Sequence, residues 1–283
     1  MNIKQAIEKG AVNLKTANIE SPKVKARMLM QFILNKPRQY IIVNDMRELT
    51  LSQKDEYFEC IKKLMNNMPI EHITKQKEFM KMNFFVNEKV LIPRQDTEVL
   101  VEEVIKIAKK TNSRQILDLC TGSGAIAVSL AKYLPNVEIT ATDISLDAIK
   151  IATKNAIMNN VENKITFVHS NLFQNILKDR YDIIVSNPPY IKSEDIEILD
   201  KQVQKEPRIA LDGGIDGLDF YRKIINQCYE YLRYEGFLCL EIGYDQKIDV
   251  IELLENEERF SNIYSKKDLY GNDRIVIGQI KFS

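Results

Sequence analysis

The first seventy residues repeat apolar positions at helical spacing. Ile3, Ala6, Ile7, Ala11 and Leu14 fall on one stripe at three- and four-residue intervals, which predicts an amphipathic helix. Ser21-Pro22 sets a capping residue before a proline suited to the first helical turn, predicting a second helix through Met28, Leu29, Phe32 and Ile33 that stops at Lys36-Pro37. Ser52 with Asp55 three residues on resembles a capping box, and Tyr57, Cys60, Ile61 and Leu64 give a further helical face. Between Pro69 and Pro93 the apolar period shortens. KEFMKMNFFVNEKVLIPR alternates apolar and polar residues around Asn87-Glu88, which predicts a hairpin turning there. From Asp96 onward short apolar runs (QILDLC, VEITATDI, KITFVHS, YDIIVS) alternate with amphipathic helical stretches, the pattern of βαβ units in a doubly wound, mostly parallel sheet. The tail differs, because NIYSKKDLYGNDRIVIGQI holds two strand-like runs around Gly271-Asn272 and permits an antiparallel ending.

These patterns divide the chain into a small helical domain over 1–68, a β-hairpin linker over 69–94 and an α/β domain over 95–283. The length of 283 residues, about twice a typical domain of ~150, agrees with two domains. A hydrophobic share of 45% with only 10 Gly and 8 Pro sets disorder aside. No apolar run approaches the ~18 to 20 residues of a membrane span, and MNIKQAIEKGAVNLKTA carries charges where a signal peptide has its apolar centre, so a cytoplasmic protein is expected. Acidic and basic residues balance at 40 each, yet residues 1–85 hold 15 basic and 9 acidic side chains, leaving 25 and 31 for the rest. The basic front half fits either a solvated set of helix faces or an acidic partner. Cys60, Cys120, Cys228 and Cys239 show no CxxC spacing and have only His72 and His169 to join them, so no metal is expected.

The candidate chemistry begins where the run Ile116–Leu119 enters Cys120-Thr121-Gly122-Ser123-Gly124 and a helix starts at once. Glycines at such a turn let backbone approach a ligand and aim amides at it from a helix N-terminus. Asp143 ends the next strand, 19 residues after Gly124, where a carboxylate accepts hydrogen bonds from ribose hydroxyls. Together with Asp118 these residues point to an adenosine-containing cofactor. The same loop satisfies the dinucleotide fingerprint through Gly122, Gly124 and Ala127, so it does not separate NAD from S-adenosylmethionine.

Asn187-Pro188-Pro189-Tyr190 bears on that choice. It follows the strand YDIIVS at its carboxyl end, where open α/β sheets bind ligands. The prolines fix φ and remove two N–H donors, so the corner offers acceptors, namely the Asn187 side-chain oxygen and the Pro188 carbonyl. Two acceptors can hold the two hydrogens of a planar amide or amino nitrogen and raise its electron density for attack on an electrophilic methyl, with Tyr190 able to stack on the flat group. No metal and no covalent intermediate is needed.

At these residues the chain resembles the class I S-adenosylmethionine-dependent methyltransferases, and within them the HemK-like peptide chain release factor N5-glutamine methyltransferases. Three further stretches carry the resemblance: Leu91–Glu98 is similar to the family's LIPRPDTE, Glu206–Leu218 to EPRxALxGGxxGL, and Leu240–Gln246 to LEIGxxQ. Gln95, Asn171, Cys120 and Lys75 depart from the family's usual Pro, Asp, Gly and Gly. The resemblance implies a seven-stranded methyltransferase sheet with antiparallel C-terminal strands, and a helical domain that grips the partner. It implies methyl transfer from S-adenosylmethionine, leaving S-adenosylhomocysteine, to the glutamine of the Gly-Gly-Gln loop in bacterial class 1 release factors. Asp118, Cys120, Thr121, Gly122, Ser123, Gly124, Asp143, Asn171, Leu172 and Asn187 would line the cofactor, and Asn187, Pro188, Pro189 and Tyr190 would form the catalytic corner. A monomer is expected. Arg94, Asp96 and Glu98 read equally as a linker turn leading into a helix, and Glu206 with Arg208 as a surface pair.

Two other readings use the same motifs. Adenine-N6 methylation of DNA or RNA shares the Asn-Pro-Pro-Tyr corner, but a base-flipping enzyme needs a basic track, and the portion after residue 85 is net acidic. An NAD-dependent dehydrogenase shares the glycine loop but needs a hydride-handling acid or base. His169, the single histidine of the second half, lies in a predicted strand.

Overall fold

The computed structural model describes residues 1–178 and 181–281; residues 179, 180, 282 and 283 of the expected 95–283 domain lie outside them. The chain forms two compact units, one of Met1–Gln76 with Asp200–Lys205 and one of Lys77–Leu199 with Glu206 onward.

The first unit holds α1 (Ile3–Thr16), α2 (Pro22–Leu34), α3 (Arg38–Val43), α4 (Leu51–Met65) and α5 (Ile70–Thr74). The expected apolar stripe of α1 is buried at Ile3, Ala6, Ala11 and Leu14, where it meets Leu29, Met30, Tyr57, Ile61 and Leu64. Ile70 and Ile73 of α5 join this core, so the helical unit runs past residue 68. The residues expected to open the hairpin are therefore helical. The capping signals also differ from the expectation. α4 is capped by Thr50, whose side chain and that of Gln53 close a reciprocal box, while Ser52 donates to Glu56 one turn on at 2.6 Å. Ser21 lies before Pro22 in left-handed backbone and makes no side-chain cap.

The second unit opens with a hairpin, β1 (Gln76–Phe79) and β2 (Met82–Phe85), which turns at Met80-Lys81 and not at Asn87-Glu88. Both turn residues have positive φ, 48° and 58°, as the tight turn matching strand twist requires. Neither side chain favours that backbone, so the turn is held from outside: the Glu98 carboxylate accepts from the Met80 N–H at 2.6 Å and the Tyr133 hydroxyl donates to the Met80 carbonyl at 2.7 Å. Asn87 instead accepts from the Lys89 N–H at 2.9 Å in a local turn.

The remaining elements are α6 (Thr97–Thr111), β3 (Gln115–Leu119), α7 (Ala125–Tyr133), β4 (Glu138–Asp143), α8 (Leu146–Met158), β5 (Ile165–His169), β6 (Tyr181–Ser186), α9 (Asp219–Cys228), β7 (Leu232–Glu241), α10 (Lys247–Glu255), β8 (Phe260–Lys267) and β9 (Asp273–Ile280). They build the expected seven-stranded sheet, in the order β5-β4-β3-β6-β7-β9-β8. The first five strands pair in parallel, and β9 runs antiparallel to both β7 and β8. Alternate residues of each strand feed two cores. Ile116, Ile183, Val185 and Ile277 pack with α6 and α7 on one face, and Leu117, Ile184, Leu240 and Val276 with α9 and α10 on the other. Chain order reverses between β3 and β6, which opens a crevice at their carboxyl ends. Among the described residues no helix is long and apolar enough to cross a membrane.

A Cβ on Gly10 of α1 would lie 2.4 Å from the Tyr57 hydroxyl, itself buried and donating to the Ala26 carbonyl at 3.2 Å. Overpacking of ~1–3 kcal/mol offsets or exceeds the ~1 kcal/mol of helix propensity that alanine adds. Gly10→Ala is expected to lower stability by up to about 2 kcal/mol, measured as a shift in the denaturant midpoint at constant slope.

Candidate active site

The loop from β3 to α7 has three residues in left-handed backbone: Cys120 (φ 59°), Gly122 (φ 55°) and Gly124 (φ 80°). A Cβ on Gly122 would meet nothing within 4 Å, so this backbone faces open space, whereas one on Gly124 would lie 2.9 Å from the Ala152 Cβ of α8. The first glycine exposes the loop to a ligand; the second lets it pack on a helix. Cys120 takes the left-handed backbone with a side chain, at a cost of about 1 kcal/mol. Lys75, which ends α5 at φ 58°, does the same.

Three polar side chains hold this loop, two of them, Asp118 and Asn155, fully buried. The Thr121 hydroxyl and the Ala127 N–H donate to Asp118 Oδ2 at 2.6 and 3.2 Å. Asp143 Oδ2 accepts from the Gly122 N–H at 2.9 Å while its Oδ1 accepts from Ser145 N–H at 2.8 Å. Asn155 of α8, which sequence reasoning missed, donates to the Ser123 and Phe85 carbonyls at 2.8 and 2.9 Å and accepts from the Phe85 N–H at 2.6 Å. Its signal was a lone asparagine on the buried face of a helix.

A cavity of about 240 Å³ lies above the loop. Of the expected site residues, Cys120, Gly122, Asp143, Asn171, Leu172, Asn187 and Pro189 line it, joined by Ile144, Ile209, Phe220 and Lys223. Asp118, Thr121 and Ser123 are buried behind it. Gly124 caps α7, and Pro188 is buried in the corner. Tyr190 does not line the cavity; its hydroxyl donates to the Glu241 carboxylate at 3.4 Å. His169 ends β5 with its Nε2 2.8 Å from the Ile144 carbonyl oxygen. Among the described residues no group of three His, Cys, Asp or Glu is arranged to hold a metal ion.

The Asn-Pro-Pro-Tyr corner is stitched to the 206–218 loop. Ile191 and Gly213 exchange backbone bonds with that loop and the corner, Ile191 N–H to Leu211 oxygen at 2.9 Å and Gly213 N–H to Ile191 oxygen at 2.8 Å. The buried Gln246 donates to the Tyr190 and Gly217 carbonyls at 2.9 and 3.2 Å and accepts from the Gly243 N–H at 2.9 Å. Glu206 is not the surface partner of Arg208. It is buried, pairs with the Arg94 guanidinium and accepts from the Ile92 N–H at 2.8 Å, while Arg208 pairs with Glu197 and Asp212 at 3.2 and 3.1 Å. The three strings noted beside the glycine loop thus meet at one corner.

Burial governs the electrostatics. It pushes the Asp118 carboxyl up to about 7, against the Thr121 and Ala127 hydrogen bonds. Asp143 is also raised by burial, with its backbone donors and His169 opposing. Burial likewise raises the Cys120 thiol, which stays protonated.

A seven-stranded sheet of this order with a glycine loop and an Asn-Pro-Pro-Tyr corner at its switch point defines a class I methyltransferase. Residues 95–215 match the family profile described as "Methyltransferase small domain", and residues 5–74 that described as "PrmC N-terminal domain". The fold is shared with a methyltransferase crystal structure from Pyrococcus furiosus, at a TM-score of 0.52 and 20% identity over 80% of this chain and 99% of that one. A release factor glutamine methyltransferase from Clostridium acetobutylicum is 39% identical, and one from Clostridium botulinum 40%, each match covering 98% of both chains. The chain belongs to the release factor glutamine methyltransferase family.

A raised carboxyl pKa in the folded state gives stability that is full below the ordinary carboxylate value of about 4 and is lost as pH rises through about 7. Asp118→Asn keeps an oxygen for Thr121 and Ala127 but removes this dependence. Denaturant melts are therefore expected to show the variant gaining on the wild type between pH 4 and 7, and no further above that range.

Proposed function

We propose that the chain methylates the side-chain amide nitrogen of the glutamine in the Gly-Gly-Gln loop of bacterial class 1 release factors, with S-adenosylmethionine as donor. The observation that carries the reading is one cavity bounded on one side by the glycine loop and Asp143 and on the other by Asn187 and Pro189. The relatives named as release factor glutamine methyltransferases support the substrate.

The residues present fit the donor. Open space at Gly122 admits a ligand against backbone, and Asp143 keeps acceptor capacity for ribose hydroxyls beyond its two backbone bonds. Asn171, in place of the family's usual Asp, offers a side-chain oxygen at the cavity wall to an adenine amino group. The bound donor supplies a methyl group on a positively charged sulfur. The corner supplies orientation. An amide nitrogen is a weak nucleophile because its lone pair is delocalised, so Asn187 and the Pro188 carbonyl hold its two hydrogens and stabilise the charge that develops as the nitrogen commits its electrons. We assign the helical unit, with its basic surface, to holding the release factor in a cytoplasmic monomer.

Transfer of labelled methyl to a purified release factor, beside the same factor with its Gly-Gly-Gln glutamine replaced, tests the reading. Label that disappears with the glutamine is expected; label on DNA or RNA instead would move the assignment to adenine. Asn187→Ala is expected to lower turnover by orders of magnitude with donor affinity retained. Asp143→Ala is expected to weaken donor binding by the ~1.5–3 kcal/mol of a charged hydrogen bond, read by calorimetry.

A further inference from the structure

The helix α1 has two working faces. One is the apolar stripe that fills the core of the helical unit. Along the other, Lys4, Ile7, Glu8, Ala11, Val12 and Lys15 recur at three- and four-residue intervals and so share one side of the helix. That side forms a wall of a groove of about 660 Å³ contained within the helical unit. Pro22, Lys23 and Arg27 of α2 bound it, with Ile41 and Ile42 of α3 and Asp45 just after α3. The walls are tied to each other, because the Ile3 and Lys4 N–H groups donate to the Arg47 and Asp45 carbonyls at 3.0 and 2.9 Å. The groove is therefore formed before anything enters it.

Its floor is apolar and its rim is charged. Val12 and Ile42 line it while remaining 65% and 55% exposed, so two large apolar side chains face water without holding the unit together. Around them stand four cations, Lys4, Lys15, Lys23 and Arg27, against two carboxylates, Glu8 and Asp45. Among the described residues none of these six forms an ion pair within 4.0 Å, although Lys4 and Glu8 lie one helical turn apart. The surplus of positive charge is thus open to carboxylates that a partner brings.

A second copy docked groove to groove would set this rim against itself. A nucleic-acid backbone would meet Glu8 and Asp45 as well as the cations and would leave the apolar floor uncovered. A helix with an apolar ridge between acidic flanks matches floor and rim together, in the helix-in-groove mode of recognition. From Lys4 to Lys15 the wall runs roughly three turns of α1, enough to seat such a helix alongside.

We propose that this groove docks an amphipathic helix with acidic flanks, carried by the methylated protein outside its Gly-Gly-Gln loop. The inference deepens the release-factor reading and rests on it for the bearer of that helix. Docking at a second point raises the effective concentration of the target loop, so its loss appears in KM and not in kcat.

The test uses full-length Val12→Glu, Ile42→Glu and a double variant, Lys15→Gln with Lys23→Gln, each checked for an unchanged thermal midpoint. With a purified release factor, the two glutamate variants are expected to raise KM by about tenfold or more, with kcat and donor affinity unchanged. The double variant raises KM less and loses much of the salt dependence of the wild type. A second readout needs no turnover. A designed helix of roughly four turns, with leucines on one stripe and glutamates beside it, is followed by fluorescence anisotropy. It is expected to bind the wild type and not Ile42→Glu, while its lysine-flanked counterpart binds neither. Wild-type KM in both glutamate variants overturns the proposal, as does equal binding of the acidic and basic helices. Self-association or nucleic-acid binding that Ile42→Glu abolishes gives the groove to another occupant and also overturns it. A wild type that transfers no methyl removes the release-factor reading instead, and the helix titration then decides the groove: no binding, or equal binding to wild type and Ile42→Glu, overturns it.

Discussion

The pairing of β3 with β6 is the constraint on which the site depends. Their register sets Leu119 opposite Ser186, and the Ser186 hydroxyl donates to the Leu119 carbonyl at 2.8 Å. The next residues on the two strands are Cys120, which opens the glycine loop, and Asn187, which opens the acceptor corner. Parallel pairing makes both strands end on the same edge, and reversal of chain order on either side of that pair sends the two loops apart. A slip of one residue would turn Leu117 and Ile184 out of one core and into the other face. The apolar alternation that fills two cores therefore also holds the two loops at a common cavity.

Short loops at a sheet edge have little apolar surface with which to hold themselves. In this protein buried polar side chains with several partners do so. Asn155 joins the hairpin to the glycine loop, Asp118 ties that loop to the first turn of α7, and Gln246 joins the acceptor corner to the 206–218 loop. Each exchanges water for fixed protein partners, which is tolerable because nearly every donor and acceptor is satisfied. Asp118 Oδ1 and Glu241 Oε2 are exceptions among the described residues, and both belong to carboxyls that burial drives toward the neutral form.

The sheet was legible in the sequence because its signals are local. Period-two and period-3.6 patterns mark each strand and helix, and the strings around Cys120–Gly124, Asp143 and Asn187 fall at strand ends, where neighbours in the chain already dictate backbone shape. What stayed hidden is set by distant residues. The Met80-Lys81 turn has no glycine or asparagine to announce it and depends on Glu98 and Tyr133. Glu206 read as the partner of its neighbour Arg208, yet the fold gives it to Arg94, 112 residues away. Ser52 with Asp55 resembled a capping box, yet the residue that caps the helix is Thr50, paired with Gln53. Tyr190 carried a stacking role by its place in the corner, while its hydroxyl is committed to Glu241.

The same distinction separates what makes a methyltransferase from what makes this site selective for one kind of nitrogen. A glycine loop and an aspartate at the end of the next strand line the cavity, and local sequence is enough to build them. Selectivity needs acceptors whose direction is fixed before the target arrives, since a side-chain amide that can turn over offers donor and acceptor with equal ease. Direction cannot come from the Asn-Pro-Pro-Tyr corner itself. The prolines fix backbone, and the Asn187 side chain still rotates unless something outside the corner holds it. In this fold the Asn187 amide donates to the Thr97 hydroxyl at the start of α6 at 3.3 Å, so the placement of this side chain depends on an element distant in the chain.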